Sequence, residues 1–337
     1  MPHPPQYRRE HRLAPVGVMA LLLACLAAAA QGQNCTTQAE MSATERSALI
    51  TASQKLTQSI AVDDVQALQA AIAPQVASDA SGILNAVSDA AAKTKGATFT
   101  VDNLYLLDAT DVAPGTANVR FYCGVFNLPM RVTITLGSLP QARYALSLVH
   151  ATGTPSPQQM AIIFAGGAGQ WKLAGFSFRP LTLAGHDSLW YWKQARAYAS
   201  KNEKWDAYFY YAAARYLAMP VDYMASTNLD KLVREQQDAQ PTGVPGARPM
   251  PLVVDGQTVD VTQMETSDAL GGLDLVVRYN ARDTTDLAAV RKENTAVMQA
   301  LLQAHPELKD AFHGLWVYAV APGQAPFGTE LPMQQIP

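Results

Sequence analysis

The spacing of apolar residues predicts an α+β protein. Residues 42–95 repeat with the period of an α-helix, and residues 97–178 alternate with the period of a β-strand. Further along, residues 186–217 form a helical stretch dense in aromatic rings, and residues 273–320 have a strand–helix–strand pattern. We therefore expect N-terminal helices with a curved, mostly antiparallel sheet, a helical hairpin in the middle, and a small C-terminal α/β domain.

The first 30 residues have the three parts of a secretory signal peptide. Three arginines before residue 13 make the start basic, residues 16–30 are apolar, and the last of these are small alanines where a peptidase would cut. The apolar run is shorter than the roughly 20 residues that a transmembrane helix needs. We predict a signal peptide over residues 1–30, with cleavage near Ala30.

A lipid anchor is the alternative for this segment. Leu22–Cys25 has the sequence LLAC, which resembles the box whose cysteine is lipidated in lipoproteins. The apolar run continues from Leu26 to Ala30, however, where a lipoprotein normally turns polar. Export without an anchor is the preferred interpretation, and lipidation of Cys25 is the minority one.

Composition limits the possible partners. Of the 337 residues 16% are charged and the net charge is −3, so the chain lacks the basic excess of a nucleic-acid-binding protein. Apolar residues make up 49%, and the mature chain has the length of about two domains. We expect a periplasmic or extracellular protein with no transmembrane helix in the mature chain.

The cysteines fit an exported chain. Cys25 leaves with the signal peptide, and Cys35 and Cys123 remain. In an oxidising compartment, two remaining thiols favour one disulfide over a metal site or a nucleophile. We predict a Cys35–Cys123 bridge that ties the mature N-terminus to a strand.

The N-terminal pattern predicts three helices followed by a series of strands. Asp63 and Asp64 are expected to cap a helix rather than to form a catalytic pair. A third helix is expected over Ser81–Ala92. The glycines of Ala165–Gln170 are expected to form a hairpin turn, because the lysine and the following Ser or Thr of a phosphate-binding loop are missing.

Helices followed by a strand meander that ends in GQWKLAGFSFRP resemble the nuclear-transport-factor-two-like fold, also called cystatin-like. The resemblance covers residues 42–180 and implies a domain over residues 36–182 with a curved sheet wrapped around helices. Enzymes of that superfamily hold polar groups inside the cone. Few such groups occur on the strands here: Asp102, Tyr105, Tyr122, Tyr144 and His150. A β-sandwich with the helices standing apart is the alternative, because Leu139–Gly153 also resembles a strand pair of immunoglobulin-like modules.

The aromatic run resembles one tetratricopeptide-type helix pair over residues 187–220. The repeat's small and aromatic slots fall on Tyr191, Ala195, Tyr198, Ala207, Tyr211 and Ala214. A lone repeat cannot bury its own face, so the hairpin, residues 186–239, must pack on its neighbours. Of the rings outside the slots, four are predicted to form an exposed or inter-domain binding surface: Trp190, Trp192, Tyr208 and Tyr210.

The consecutive residues His186, Asp187 and Ser188 include the residue types of a catalytic triad. Triad members converge from separate segments, so a helix cap is the preferred interpretation. Residues 240–251 are rich in Pro and Gly and are predicted to be a linker before the C-terminal domain, residues 252–337.

Within the C-terminal domain, residues 273–320 predict a crossover unit with two parallel strands. Gly271–Gly272 precedes a strand instead of opening a helix, so it is not a dinucleotide-binding fingerprint. His305, Glu307 and His313 lack a spacing that would converge on a metal ion.

These observations favour a non-catalytic exported protein that binds a protein, a glycan or an envelope component. No catalytic residue, cofactor or metal site is predicted. Two alternatives remain open: a lipid-anchored envelope assembly factor, and a hydrolase or isomerase that uses His150 and a tyrosine in the cone.

Overall fold

Two main β-sheets and their helices make up the described part of the chain in a computed structural model. The described residues are 33–124, 131–167, 170–269 and 271–337. The predicted signal peptide, its cleavage point near Ala30 and the Cys25 alternative lie outside the described residues.

The predicted helices and strands occur in the predicted order, together with elements that were not predicted, among them a strand before the first helix. The strands are β1 (Gln33–Thr37), β2 (Thr98–Asp108), β3 (Asn118–Gly124), β4 (Arg131–Gly137), β5 (Arg143–Thr152), β6 (Gln158–Gly167), β7 (Gln170–Pro180), β8 (Thr182–Leu183), β9 (His186–Asp187), β10 (Met224–Ser226), β11 (Met250–Val254), β12 (Gln257–Ser267), β13 (Asp274–Asn280), β14 (Gly314–Val320) and β15 (Phe327–Pro332). The α-helices are α1 (Ala43–Ala61), α2 (Val65–Ala71), α3 (Ser81–Thr94), α4 (Ser188–Ser200), α5 (Lys204–Ala218), α6 (Thr227–Asp238), α7 (Leu287–Ala304) and α8 (Leu308–Ala311). Short 3-10 helices cover Pro74–Asp79 and Met333–Gln335.

The first sheet is curled and has eight strands in the order β10-β4-β3-β1-β2-β5-β6-β7. Its neighbours are antiparallel except for β1 and β3. The second sheet has the order β11-β12-β13-β14-β15, with β13 and β14 parallel and joined through α7. The predicted fold class, including the crossover unit, is confirmed.

Both faces of the first sheet are buried, but by different elements. Along β5, Ala145 and Val149 point into a cluster shared with α1 and α3, whereas Leu146 and Leu148 point into a second cluster. The buried members of this second cluster include no α-helical residue; it is filled mainly by side chains from β2 to β6. Helices α1 and α3 thus cover one face of the sheet, and side chains from strands and loops fill the other.

Local signals explain where the N-terminal helices begin and dock. The side chain of Ser42 accepts a hydrogen bond from the amide of Glu45 at the start of α1. Asp64 does the same for Ala67 at the start of α2, as predicted. On the buried face of α1, the hydroxyl of Ser53 lies 2.8 Å from that of Ser147 on β5, which satisfies two polar groups inside the core.

The helical hairpin and the C-terminal sheet share a third core. Tyr191 on α4 and Phe209 on α5 belong to the same buried cluster as Tyr279 on β13 and Val297 on α7. A further helix, α6, packs on α5 and was not predicted as a separate element. Strand β11 begins at Met250, inside the range whose composition predicted a linker.

One finding bears on the compartment of the protein. Cys35 on β1 and Cys123 on β3 form a disulfide, which confirms the predicted pairing. Within the described ranges, no helix has both the length and the apolar character needed to cross a bilayer.

Candidate functional site

The four rings predicted to form a binding surface lie in different environments. Tyr210 is buried, and its hydroxyl donates a 2.6 Å hydrogen bond to the carbonyl of Ala311. Trp190 is half-buried and stacks on His186 with ring centroids 3.7 Å apart. Tyr210 is therefore a packing residue at the contact with the C-terminal region, and the exposed surface does not include it.

Trp192 and Tyr208 line two separate depressions. The indole nitrogen of Trp192 donates a 2.6 Å hydrogen bond to Glu235 on α6, and the ring borders an apolar groove of about 430 Å³. Exposed Leu189 also lines that groove. Nothing among the described residues indicates which partner would cover it. Tyr208 lines a polar cleft on the other side of α5.

This cleft is the candidate binding site. It measures about 720 Å³, within the range of ligand pockets, and its walls come from α3, the ends of β6 and β7, helices α5 and α6, and β12. It therefore brings together segments from all three regions of the chain. Its lining residues are Lys93, Ser156, Gln158, Pro180, Leu183, Tyr208, Phe209, Ala212, Arg215, Tyr216, Gln236, Met264, Glu265, Thr266, Ser267 and Asp268.

Helix α5 presents one continuous stripe to the cleft. Tyr208, Ala212, Arg215 and Tyr216 follow one another at helical spacing, so they lie on one face. Small Ala212 leaves room between the two tyrosine rings. The stripe therefore combines two phenol rings with one cation.

The Tyr216 ring is held from outside the stripe. The Arg179 guanidinium carbon lies 5.7 Å from the centre of that ring. Arg179 is itself fixed by a 2.7 Å hydrogen bond to Asp222 and a 3.3 Å hydrogen bond to the carbonyl of Met219. The ring therefore has a supported position although 43% of the residue is exposed.

Gln158 is the most informative residue of the cleft. It is 1% exposed, and its amide nitrogen donates two 2.9 Å hydrogen bonds to the carbonyl and hydroxyl of Ser156. Its side-chain oxygen is buried and has no hydrogen-bond partner. A buried acceptor without a partner costs about 1–3 kcal/mol, so a hydrogen-bond donor that reached this oxygen would be stabilised.

Only some of the charged side chains that line the cleft have a partner of opposite charge. Glu265 forms a 3.6 Å ion pair with Arg278, and Asp268 accepts a hydrogen bond from the amide of Ala184. Lys93 and Arg215 form no ion pair with any described residue; the Lys93 ammonium only lies over the Phe178 ring, 5.2 Å from its centre. Among the charged side chains that line the cleft, the cations Lys93 and Arg215 and the carboxylate of Asp268 therefore have no ion-pair partner in the described ranges.

A larger depression of about 900 Å³ lies between α1 and the start of β7. Trp171 is the only ring that lines it, and none of its lining residues has a buried polar atom without a partner. It therefore lacks the features of the cleft beside α5, which are several aromatic rings and a buried polar atom without a hydrogen-bond partner.

The residues of triad type at the start of α4 have structural partners. Asp187 accepts a 2.8 Å hydrogen bond from the amide of Trp190, which confirms the predicted cap. The hydroxyl of Ser188 donates to the carbonyl of Ala214 at 2.8 Å. The three residues therefore begin the helix and do not converge on one point.

His150, the residue of the enzymatic alternative, lies near the end of β5. Its ring nitrogen Nε2 is 3.3 Å from the side-chain oxygen of Gln159. The hydroxyl of Tyr144 donates to the carbonyl of Pro140 at 2.9 Å. In the described ranges, His150 has no hydrogen bond or ion pair with a carboxylate, and the structure does not gather it with Tyr144.

The histidines of the C-terminal region also remain apart. His305 lies against the Trp205 ring, with centroids 4.1 Å apart, and its burial lowers the pKa of the imidazole. Glu307 is 3.9 Å from the His305 ring. Among the described residues, no three His, Cys, Asp or Glu side chains are grouped in a way that could hold a metal ion.

One polar pair was missed by the sequence analysis. Asp274 on β13 is fully buried, and its carboxylate lies 3.0 Å from Nδ1 of His313 and accepts a 3.4 Å hydrogen bond from Trp316. A side chain at Gly272 would overlap the His313 ring, so glycine permits this approach. The described residues place no hydroxyl or thiol in hydrogen-bond contact with His313, so the pair lacks a nucleophile.

Comparison with known proteins gives no relative: no protein-family model, no curated protein and no solved structure matches this chain.

Proposed function

We propose that the chain is an exported, non-catalytic binding protein and that the cleft beside α5 holds its ligand. The observation that carries this proposal is that Gln158, a residue that lines the 720 Å³ cleft, has a buried side-chain oxygen without a hydrogen-bond partner. Two uncompensated cations and two tyrosine rings surround the same space. A few fixed polar groups beside rings are typical of binding sites.

Export is supported by two independent features. The first 30 residues have the pattern of a secretory signal peptide, and the Cys35–Cys123 disulfide suits an oxidising compartment. The partner is proposed to be a protein or another envelope component. The resemblances to a nuclear-transport-factor-two-like domain and to a tetratricopeptide pair remain proposals about ancestry.

The experiment compares the wild type with a cleft variant, Tyr208→Ala with Arg215→Glu. A matched control, Tyr122→Ala with Arg120→Glu, changes an exposed tyrosine and an exposed arginine on β3. Each purified full-length chain is titrated with four defined probes: an acidic peptide, a neutral peptide, an oligouronate and a neutral oligosaccharide. Circular dichroism confirms that each chain is folded.

A ligand that binds only the folded state raises the unfolding temperature. We expect at least one anionic probe to raise it in the wild type and in the control, and to leave the cleft variant unchanged. If every probe that binds does so equally well in the cleft variant, or if no probe binds, the cleft is not the binding site.

A further inference from the structure

The wall of the cleft formed by β12 presents the edge of that strand. Five consecutive residues, Met264–Asp268, line the cleft. Side chains of a strand point alternately to opposite faces, so one face alone would contribute every second residue. A run of consecutive lining residues therefore indicates that the backbone edge borders the cleft.

This edge has no strand partner on one side. On its inner side β12 pairs with β13 from Val261 to Ser267. On its outer side β11 pairs only with the first half, from Gln257 to Val261. Beyond Val261, no backbone hydrogen bond joins the outer side of β12 to another described residue as far as Ser267.

An open edge is a template for another strand, because its unpaired amide and carbonyl groups can continue the ladder. The open stretch, Gln263–Ser267, has five residues and spans about 16 Å at the usual rise of a strand. Residues of this stretch and the tyrosine stripe of α5 line the same cleft. The space is therefore lined both by an open strand edge and by aromatic rings.

We propose that the cleft binds an extended acidic polypeptide segment of a partner protein, which adds as a strand to the open edge of β12. This proposal rests on the proposed function and names its ligand. Backbone hydrogen bonds to Gln263–Ser267 give the affinity, as in other cases of strand addition. Carboxylates of the segment meet Lys93 and Arg215, the two cations that no described carboxylate pairs with.

Gln158 fits this ligand as well. Its side-chain oxygen accepts a hydrogen bond, and a peptide amide is a suitable donor. An acidic oligosaccharide would also meet the two cations and Gln158. An oligosaccharide would not supply a regular series of hydrogen-bond donors and acceptors to the strand edge. A polypeptide would, so the open edge favours a polypeptide ligand.

The probe is a blocked hexapeptide of alternating glutamate and valine, titrated against the full-length protein. The first control peptide carries N-methyl groups on alternate amides, which removes hydrogen-bond donors and leaves the charges in place. The second control peptide replaces glutamate with lysine. A hexamer of galacturonic acid tests whether an acidic saccharide binds in the same cleft. Binding is followed by heteronuclear NMR, and the backbone amides of Gln263–Ser267 are followed by hydrogen exchange.

We expect the acidic peptide to bind and to slow exchange of the outward-facing amides of Gln263–Ser267. N-methylation and the Arg215→Glu substitution should each weaken binding by about tenfold or more, whereas Arg120→Glu on β3 should not. The lysine peptide should bind the double variant Lys93→Glu with Arg215→Glu more tightly than it binds the wild type. The charge reversal is thus tested by a gain of binding as well as by a loss.

The outcomes separate the two proposals. Suppose that the galacturonate hexamer binds the wild type, that Arg215→Glu abolishes this binding, and that the β12 amides stay unprotected. The cleft is then a binding site, but strand addition is wrong. If the outward amides are already protected in the free protein, the edge is covered and the inference fails. If no probe binds at all, both proposals fail.

Discussion

The hydroxyl of Tyr210 on α5 lies 2.6 Å from the carbonyl oxygen of Ala311, to which it donates a hydrogen bond. The ring is buried and packs edge-on against Phe312, with centroids 5.9 Å apart. The helical hairpin is thus fixed to the C-terminal region by a ring whose position outside the repeat slots predicted a surface role.

Tyr210→Phe tests this contact. The substitution keeps the ring and removes the hydroxyl, so the Ala311 carbonyl loses its donor. We expect the free energy of unfolding to fall by about 1–3 kcal/mol, as for other buried groups left without a partner. Urea unfolding measures the change, and Tyr122→Phe, at an exposed ring on β3, should change it by less than about 0.5 kcal/mol. Equal midpoints for both variants would show that the contact has no energetic role.

Asp206 predicts a pH-dependent stability. It is 1% exposed on α5, and one of its carboxylate oxygens has no hydrogen-bond partner. Burial raises the pKa of this carboxyl to about 7, and repulsion from Glu307, Glu203 and Asp310 adds to the effect, whereas Lys201 opposes it. The native state therefore holds a proton that the unfolded chain releases near its ordinary pKa of 3.8.

Because the folded protein binds the extra proton, its stability should fall as the pH rises from about 4 to about 7 and should level off above that. Asp206→Asn removes the titration, so its unfolding free energy should stay flatter over this interval and exceed that of the wild type at pH 8. The upper bound on the gain is about 4 kcal/mol, since one pKa unit corresponds to about 1.4 kcal/mol. Asp230→Asn, at an exposed position on α6, is the control and should preserve the slope of the wild type.

Much of the fold could be predicted because local pattern determined it. Strand β5 is a nearly continuous buried run, as expected for a strand covered on both faces, and its two sets of side chains enter two different cores. The helix caps at Asp64 and Asp187 were predictable for the same reason, since the capping side chain acts within three residues of its own position.

The site was not predictable, because its residues meet only through tertiary structure. Gln158, Arg215 and Met264–Asp268 come from three distant segments. One local signal was available: the helical spacing of Tyr208, Ala212 and Tyr216 places two rings on one face. Tyr210 lies two residues from Tyr208 and thus on another side of α5, so grouping them as one surface neglected the helical period.

The disulfide predicts a large loss of stability on reduction. Cys35 and Cys123 are 88 residues apart in the sequence, so the bridge closes a long loop in the unfolded chain. The loop-entropy relation gives about 4–5 kcal/mol for a loop of this size. Cys35→Ala with Cys123→Ala should therefore lower the urea midpoint strongly. Adding reductant to unfolded wild type should bring its transition to that of the variant, and a reductant effect on the variant itself would point to another cause.

Glu235 on α6 predicts a second dependence of stability on pH, with a sign opposite to that of Asp206. It accepts hydrogen bonds from Arg196 at 2.8 and 2.7 Å and from the indole nitrogen of Trp192 at 2.6 Å. The hydrogen bond from Arg196 is the main cause that lowers the pKa of this carboxyl below its usual 4.5. Its stabilisation is thus complete above pH 4.5 and should be lost as the pH falls through the lowered value.

Glu235→Gln keeps the shape of the side chain and removes the charge. Because Arg196 is about half exposed, we expect a loss of only about 1 kcal/mol at pH 7, measured by urea unfolding. The difference from the wild type should shrink as the pH falls through the lowered pKa of Glu235 and should vanish once this carboxyl is protonated. Asp222→Asn is the matched control: its carboxylate makes a similar 2.7 Å contact with Arg179 but is 80% exposed, so it should cost less. A loss for Glu235→Gln that stayed constant as the pH falls through that lowered pKa would mean that the network acts through shape and not through charge.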